Sequence, residues 1–142
     1  MKKGVDHIGI TVSYFCHDGE GNYVFQKRSE NCRDEHGRWD TGGGAIEKGD
    51  TVVETLRKEI MEEYGTEPEE YEFLGFRDVH REQDGEPTHW ISLDYRVRLD
   101  RSKVRNGEPH KFTDMEWFKL DAPPEPLHSQ FGLAFEQYKH RL

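Results

Sequence analysis

Three glutamates, Glu59, Glu62 and Glu63, stand at i, i+3 and i+4 within GGGAIEKGDTVVETLRKEIMEEYGT, residues 42–66. On a helix of 3.6 residues per turn they share an arc of about 100°. Like charges at that spacing repel, so the triplet is costly unless a cation offsets it. Oxygen-only ligands suit a hard divalent ion such as Mg²⁺ or Mn²⁺. Taken alone, the triplet reads more simply as a solvated acidic face, because glutamate is a good helix former.

The residues around the triplet supply the helix that must carry it. Thr51-Val-Val-Glu54 has the form of a capping box, with Asp50 as an alternative N-cap. Gly65 stands where a C′ glycine would end the helix. Val52, Val53, Leu56, Ile60 and Tyr64 recur at helical spacing and predict one apolar stripe beside the acidic arc. Ahead of the helix, Gly42-Gly43-Gly44 permits backbone approaches that a Cβ would block.

In this context the stretch resembles the box of the Nudix family, GX5EX7REUXEEXGU, where U is aliphatic. Gly44 takes the first glycine, Glu59 the glutamate of RE, Ile60 the U, Glu62-Glu63 the EE pair and Gly65 the closing glycine. Gly43-Gly44, Glu47 and Gly49 fit the family's common GGxxExGE form. Three positions depart: Asp50 for glutamate, Lys58 for arginine and Thr66 for the final aliphatic residue. Lys58 keeps a charge that could orient Glu59 but lacks the planar fork of arginine. Asp50 has two readings, support for the metal site or a plain N-cap, and the cap is preferred.

The resemblance implies an α/β chain, a Nudix α/β/α sandwich with a central mixed β-sheet. It implies hydrolysis of a phosphoanhydride in a nucleoside diphosphate linked to another moiety, with Mg²⁺ or Mn²⁺ held by Glu59, Glu62, Glu63 and the Gly44 carbonyl. The extra acid or general base that many relatives take from a late loop falls best on Glu108, ahead of Asp114 and Glu116; the base is either Glu108 or one of the catalytic box glutamates Glu59, Glu62 and Glu63. Arg28 stands where many relatives carry an arginine and could reach a substrate phosphate; a surface ion pair is an equal reading. Trp39 matches the family's tryptophan ahead of PGG and is read as a packing anchor before a base-stacking platform. Gly42 replaces the usual proline of that motif.

Signatures of several subgroups are missing. The NADH-type SQPWPFPxS array is absent, Arg81 stands where ADP-ribose enzymes have a proline, and Glu82-Gln83-Asp84 lacks the tyrosine of dinucleoside polyphosphate enzymes. A nucleoside triphosphate or a nucleotide sugar remains the expected substrate. The alternative is a non-catalytic nucleotide-binding sensor on the same fold, which would usually have lost a metal glutamate.

The remaining chain is read as one domain over residues 1–142. Charged residues make 35% and hydrophobic ones 32%, yet three Trp, eight Phe and six Tyr supply core bulk. A net charge of −9 argues against polymeric nucleic acid and membrane surfaces as partners. A small-molecule nucleotide is the expected partner, and a homodimer is a possible assembly. Cys16 and Cys32 have no metal-ligand or disulfide spacing, and MKKGVDHIG has no signal-peptide core, so the cytoplasm is the expected compartment.

Strands are predicted over His7–Cys16 (central in the sheet), Tyr23–Lys27, around Trp39, over Tyr71–Arg81 with an irregularity at Gly75, over Thr88–Leu99 and over Met115–Leu120. Glu82–Pro87 reads as a turn and Ser129–Leu142 as an amphipathic helix. Phe76, Trp90 and Tyr95 are expected in the core before any role in base recognition.

Overall fold

The computed structural model describes all residues, 1–142. Seven strands form one sheet: β1 (Gly9–His17), β2 (Asn22–Arg28), β3 (Trp39–Asp40), β4 (Gly43–Ala45), β5 (Glu70–Gln83), β6 (Glu86–Arg98) and β7 (Phe112–Lys119). Helix α1 (Val52–Tyr64) follows β4, and α2 (Phe131–Tyr138) follows β7. The strand order is β3-β2-β1-β6-β5, with β4 added to β1 and β7 to β2. β1 and β6 run parallel and the other pairs antiparallel, so the sheet is mixed. No helix is long and apolar enough to cross a membrane.

Alternation along β1 distributes the core. Tyr14 and Cys16 point to one face, where they meet Leu56, Ile60 and Tyr64 of α1 with Tyr95, Val97 and Leu99. Phe15 points to the other, where it meets Phe131, Ala134 and Tyr138 of α2 with Phe25, Trp39 and Leu74. The result is the expected sandwich, with one helix on each face. Leu56 and Ile60 are fully buried, which stabilises the docked helix by roughly 1.5–3 kcal/mol per side chain.

Local signals place α1. Thr51 is its N-cap and accepts the Glu54 amide at 3.1 Å, so Asp50 is not the cap. Gly65 ends the helix at φ +72°, its amide donating to the Met61 carbonyl. Gly75 marks a bulge in β5 opposite Tyr95 and Asp94 of β6.

Three expectations are corrected. The turn between β5 and β6 is only Asp84-Gly85, both at positive φ, because a two-residue reversal suits the twist of the flanking strands. Tyr95 is buried, but Phe76 is 59% exposed, beyond the reach of α1 on its face, and Trp90 is only half-buried on the opposite face, where it lines a cavity. The last helix is shorter than Ser129–Leu142, although Phe131, Ala134 and Tyr138 do form its buried stripe.

Candidate active site

The acidic edge of α1 faces the glycine run. Any side chain at Gly44 would meet the Glu59 carboxylate, and one at Gly42 would meet Glu63 and the Tyr14 ring. Gly42 has φ +110°, which proline cannot adopt. The glycine therefore sets the turn that brings Tyr14 and Glu63 together.

The three glutamates differ. Glu63 is only 6% exposed and accepts a hydrogen bond from the Tyr14 hydroxyl. Burial pushes its carboxyl well above the usual range, and Asp40, Glu59 and Glu108 push the same way. Glu59 is half-buried and its pKa rises to about 7, first through desolvation and then through Glu62; Lys58 and Lys111 oppose the rise. Glu62 is exposed.

Glu108 reaches this edge from a distant part of the sequence. The Arg105 amide donates to the Tyr64 carbonyl at 3.0 Å and the Gly107 amide to the Glu63 carbonyl at 3.0 Å. The end of α1 thereby holds the loop, and Glu108 raises the carboxyl pKa of both Glu59 and Glu63. Lys111 lies 3.6 Å from Glu108. Gln26, on β2, donates to the Glu63 carbonyl at 3.0 Å, while its buried Oε1 has no partner.

These features fit a divalent cation. Desolvation shifts both carboxyls toward the protonated form unless positive charge offsets it, and the orphaned Gln26 oxygen adds an unspent acceptor close to Glu63. The Gly44 carbonyl, in the strand paired with β1, accepts the Thr11 hydroxyl at 2.9 Å.

Across the glycine run lies a cavity of about 310 Å³. Gly42, Gly43 and Gly44 line it, as do Arg28, Arg33, Arg77 and Arg81. Glu59, Glu62, Glu63, Lys58 and Glu108 do not, so the glycine backbone separates the carboxylates from the cavity. Arg28 is tied to Asp34 at 3.1 Å and Asp40 at 3.4 Å, and Arg77 to Asp94 at 2.8 Å. Trp39 lies away from the cavity, 9% exposed with its ring edge-on to Phe118, as a packing anchor would be. Arg77, Arg81 and Arg33 were not among the site residues read from the sequence. The alternation Arg77-x-Val79-x-Arg81 carried the signal, since residues two apart share a face of a strand.

The model of the NUDIX domain matches residues 7–137. The chain belongs to the Nudix family. Solved structures agree: MutT NUDIX hydrolase from Burkholderia pseudomallei is 26% identical with a TM-score of 0.79, over 91% of this chain and 96% of that one. The MutT protein from Methanosarcina mazei Go1 is 21% identical with a TM-score of 0.74, over 94% of each. The NUDIX domain of Shewanella oneidensis NrtR, solved with ADP ribose, is 17% identical with a TM-score of 0.72, over 99% of this chain and 90% of that one. The last two show the shared fold. Membership gives this Nudix chain its general class, a hydrolase acting on a nucleotide-derived substrate.

A candidate metal cluster of another kind lies elsewhere on this Nudix domain. Asp78 and His80 on β5 and His89 on β6 bring their potential ligand atoms within 4.8 Å of one another. None was singled out as a site residue from the sequence. The pairing of His80 with His89 follows from the hairpin register, and strands ending at Arg81 and starting at Thr88 already imply it.

Proposed function

We propose that this Nudix hydrolase cleaves a phosphoanhydride in a nucleoside diphosphate linked to another moiety, a nucleoside triphosphate or nucleotide sugar, to give a nucleoside monophosphate. The observation that carries the reading is the glycine run, with desolvated carboxyls of α1 on one side and an arginine-lined cavity on the other. Guanidinium forks match phosphate oxygens, and Arg33 and Arg28, both lining the cavity, would hold them, Arg28 by exchanging its ion pairs with Asp34 and Asp40 for phosphate.

Glu59, Glu62, Glu63 and the Gly44 carbonyl would hold Mg²⁺ or Mn²⁺. When bound, such an ion supplies charge neutralisation at phosphorus and makes a water nucleophilic near neutral pH. Tyr14 fixes the Glu63 carboxyl through its hydroxyl, so that one oxygen is positioned and the other free. Lys58 keeps Glu59 closer to its ionised form. Glu108, whose charge acts on both carboxyls from a separate loop, or one of the box glutamates themselves, would take a proton from the attacking water.

The test is release of phosphate or pyrophosphate from triphosphates, nucleotide sugars and dinucleotides with Mg²⁺ or Mn²⁺. Glu62→Gln and Glu63→Gln should each lower turnover by at least about a hundredfold. The metal-free melting curves should stay near that of the parent, since glutamine keeps an acceptor for Tyr14. Full turnover in both variants would remove the assignment. Tight binding without release from any substrate would instead support a nucleotide sensor.

A further inference from the structure

We propose that Asp78, His80 and His89 form a separate binding site for one borderline first-row transition-metal ion, with Zn²⁺ as the reference case.

The register of β5 and β6 builds this site. Asp84-Gly85 closes the hairpin with Gln83 opposite Glu86, which puts His80 directly opposite His89 and Asp78 opposite Ile91. Asp78 and His80 are two residues apart, so they share a face, and His89 joins them across the strand pair. The two imidazole rings lie 4.2 Å apart between centroids at an interplanar angle of 31°. His89 Nε2 is 2.9 Å from Asp78 Oδ1.

Bonds of about 2.0–2.2 Å to nitrogen and oxygen in a tetrahedron require ligand atoms about 3.3–3.5 Å apart. The His89–Asp78 pair, at 2.9 Å, is slightly closer than that spacing and need only open a little, and all three ligand atoms fall within 4.8 Å. Asp78 and His80 are exposed and His89 is half-buried, so small side-chain rotations close the remaining gap without moving backbone. Where His89 donates Nε2–H to Asp78, coordination through Nε2 places the ring proton on Nδ1 instead. Three protein ligands leave a fourth position open to water.

Donor chemistry sets the choice of ion. Two imidazoles with one carboxylate suit Zn²⁺, Ni²⁺, Co²⁺ or Cu²⁺ and are a poor set for Mg²⁺, which prefers oxygen. The edge of α1 offers the opposite, oxygen alone. Register places β5 three strands from β4, on the order of 14 Å across the sheet, so the two sets do not share an ion. The inference therefore stands independently of the proposed hydrolysis. Val79, Arg81, Thr88 and Trp90, on the reverse face of the same hairpin, line the cavity, so an ion clasping the strands would brace that wall.

The experiment is calorimetric titration of the full chain with Zn²⁺ under saturating Mg²⁺, alongside Co²⁺ absorption spectra. The expected result is one equivalent of Zn²⁺ bound despite Mg²⁺, with affinity falling at least about tenfold in His80→Gln and in His89→Gln. Zn²⁺ should raise the melting temperature of the parent but not of the histidine variants, and Glu62→Gln should bind Zn²⁺ as the parent does. Parent-like melting of the zinc-free variants verifies their fold. No Zn²⁺ binding, undiminished binding in both histidine variants, or a Co²⁺ spectrum of thiolate ligation abolished by Cys32→Ser would each overturn the proposal.

Discussion

Burial acts on single side chains of this protein in opposite directions according to their charge. At Glu63 it favours the protonated acid, and a divalent cation is the natural compensation. At His17 it favours the neutral base. The residue is 5% exposed, and desolvation followed by Arg96 and Arg98 lowers its pKa from 6.5 to about 4. Its Nδ1 accepts the Gly19 amide at 3.0 Å, a bond that protonation there destroys. Between pH 6.5 and about 4 the unfolded chain binds a proton at this site that the folded chain refuses. The contribution to stability is complete above pH 6.5 and is lost as pH falls toward 4. In His17→Asn the amide oxygen can still accept from Gly19 and does not titrate. Thermal melts across this window should show a shallower acid loss for His17→Asn than for the parent, and parallel curves would refute the assignment.

At the scale of elements, β4, the short strand ahead of α1, matters through what it leaves out. Neighbouring glycines there have different neighbours. A Cβ at Gly44 would run into the end of the Glu59 side chain, which can move aside. A Cβ at Gly43 would lie 2.6 Å from the Val12 carbonyl oxygen, part of the sheet backbone, which cannot. Gly44→Ala should therefore keep a melting temperature close to the parent while raising the Mg²⁺ concentration needed for half-maximal turnover. Gly43→Ala should cost roughly 1–3 kcal/mol of stability. A Mg²⁺ titration of activity paired with denaturant melts separates them, and the reverse pattern would show that the two glycines have exchanged roles.

For the whole molecule, the joint between the sheet and α2 is polar at its centre. Arg77 grips Asp94 with Nε at 2.8 Å and a terminal nitrogen at 3.0 Å, while Ser92 donates to Asp94 at 2.8 Å. The Tyr138 hydroxyl of α2 donates to the same carboxylate, which is fully buried. Removing one partner strands a charge. Arg77→Met should destabilise the fold by about 3–5 kcal/mol, and the double variant with Asp94→Leu should recover part of that loss. Equilibrium unfolding in urea measures both, and additive losses would argue against a coupled pair. Because Arg77 also lines the cavity, the joint that fastens α2 shapes the chamber wall.

Short-range signals were legible without coordinates. The cap at Thr51, the stop at Gly65, the apolar stripe of α1, the irregularity at Gly75 and the order of strands all depend on residues within a few positions of one another. The amino-acid sequence by itself therefore determined the helix, its acidic edge, the glycine turn before it and the family resemblance. Tertiary structure alone decided what meets that edge. Glu108 joins Glu59 and Glu63 because the Gly107 amide finds the Glu63 carbonyl, and Tyr14 reaches Glu63 because Gly42 leaves room. The arginine-lined cavity likewise depends on how the strands and α2 pack, which no local pattern sets. Periodicity and capping are properties of neighbours along the chain, whereas desolvation and long-range pairing exist only once distant segments have packed.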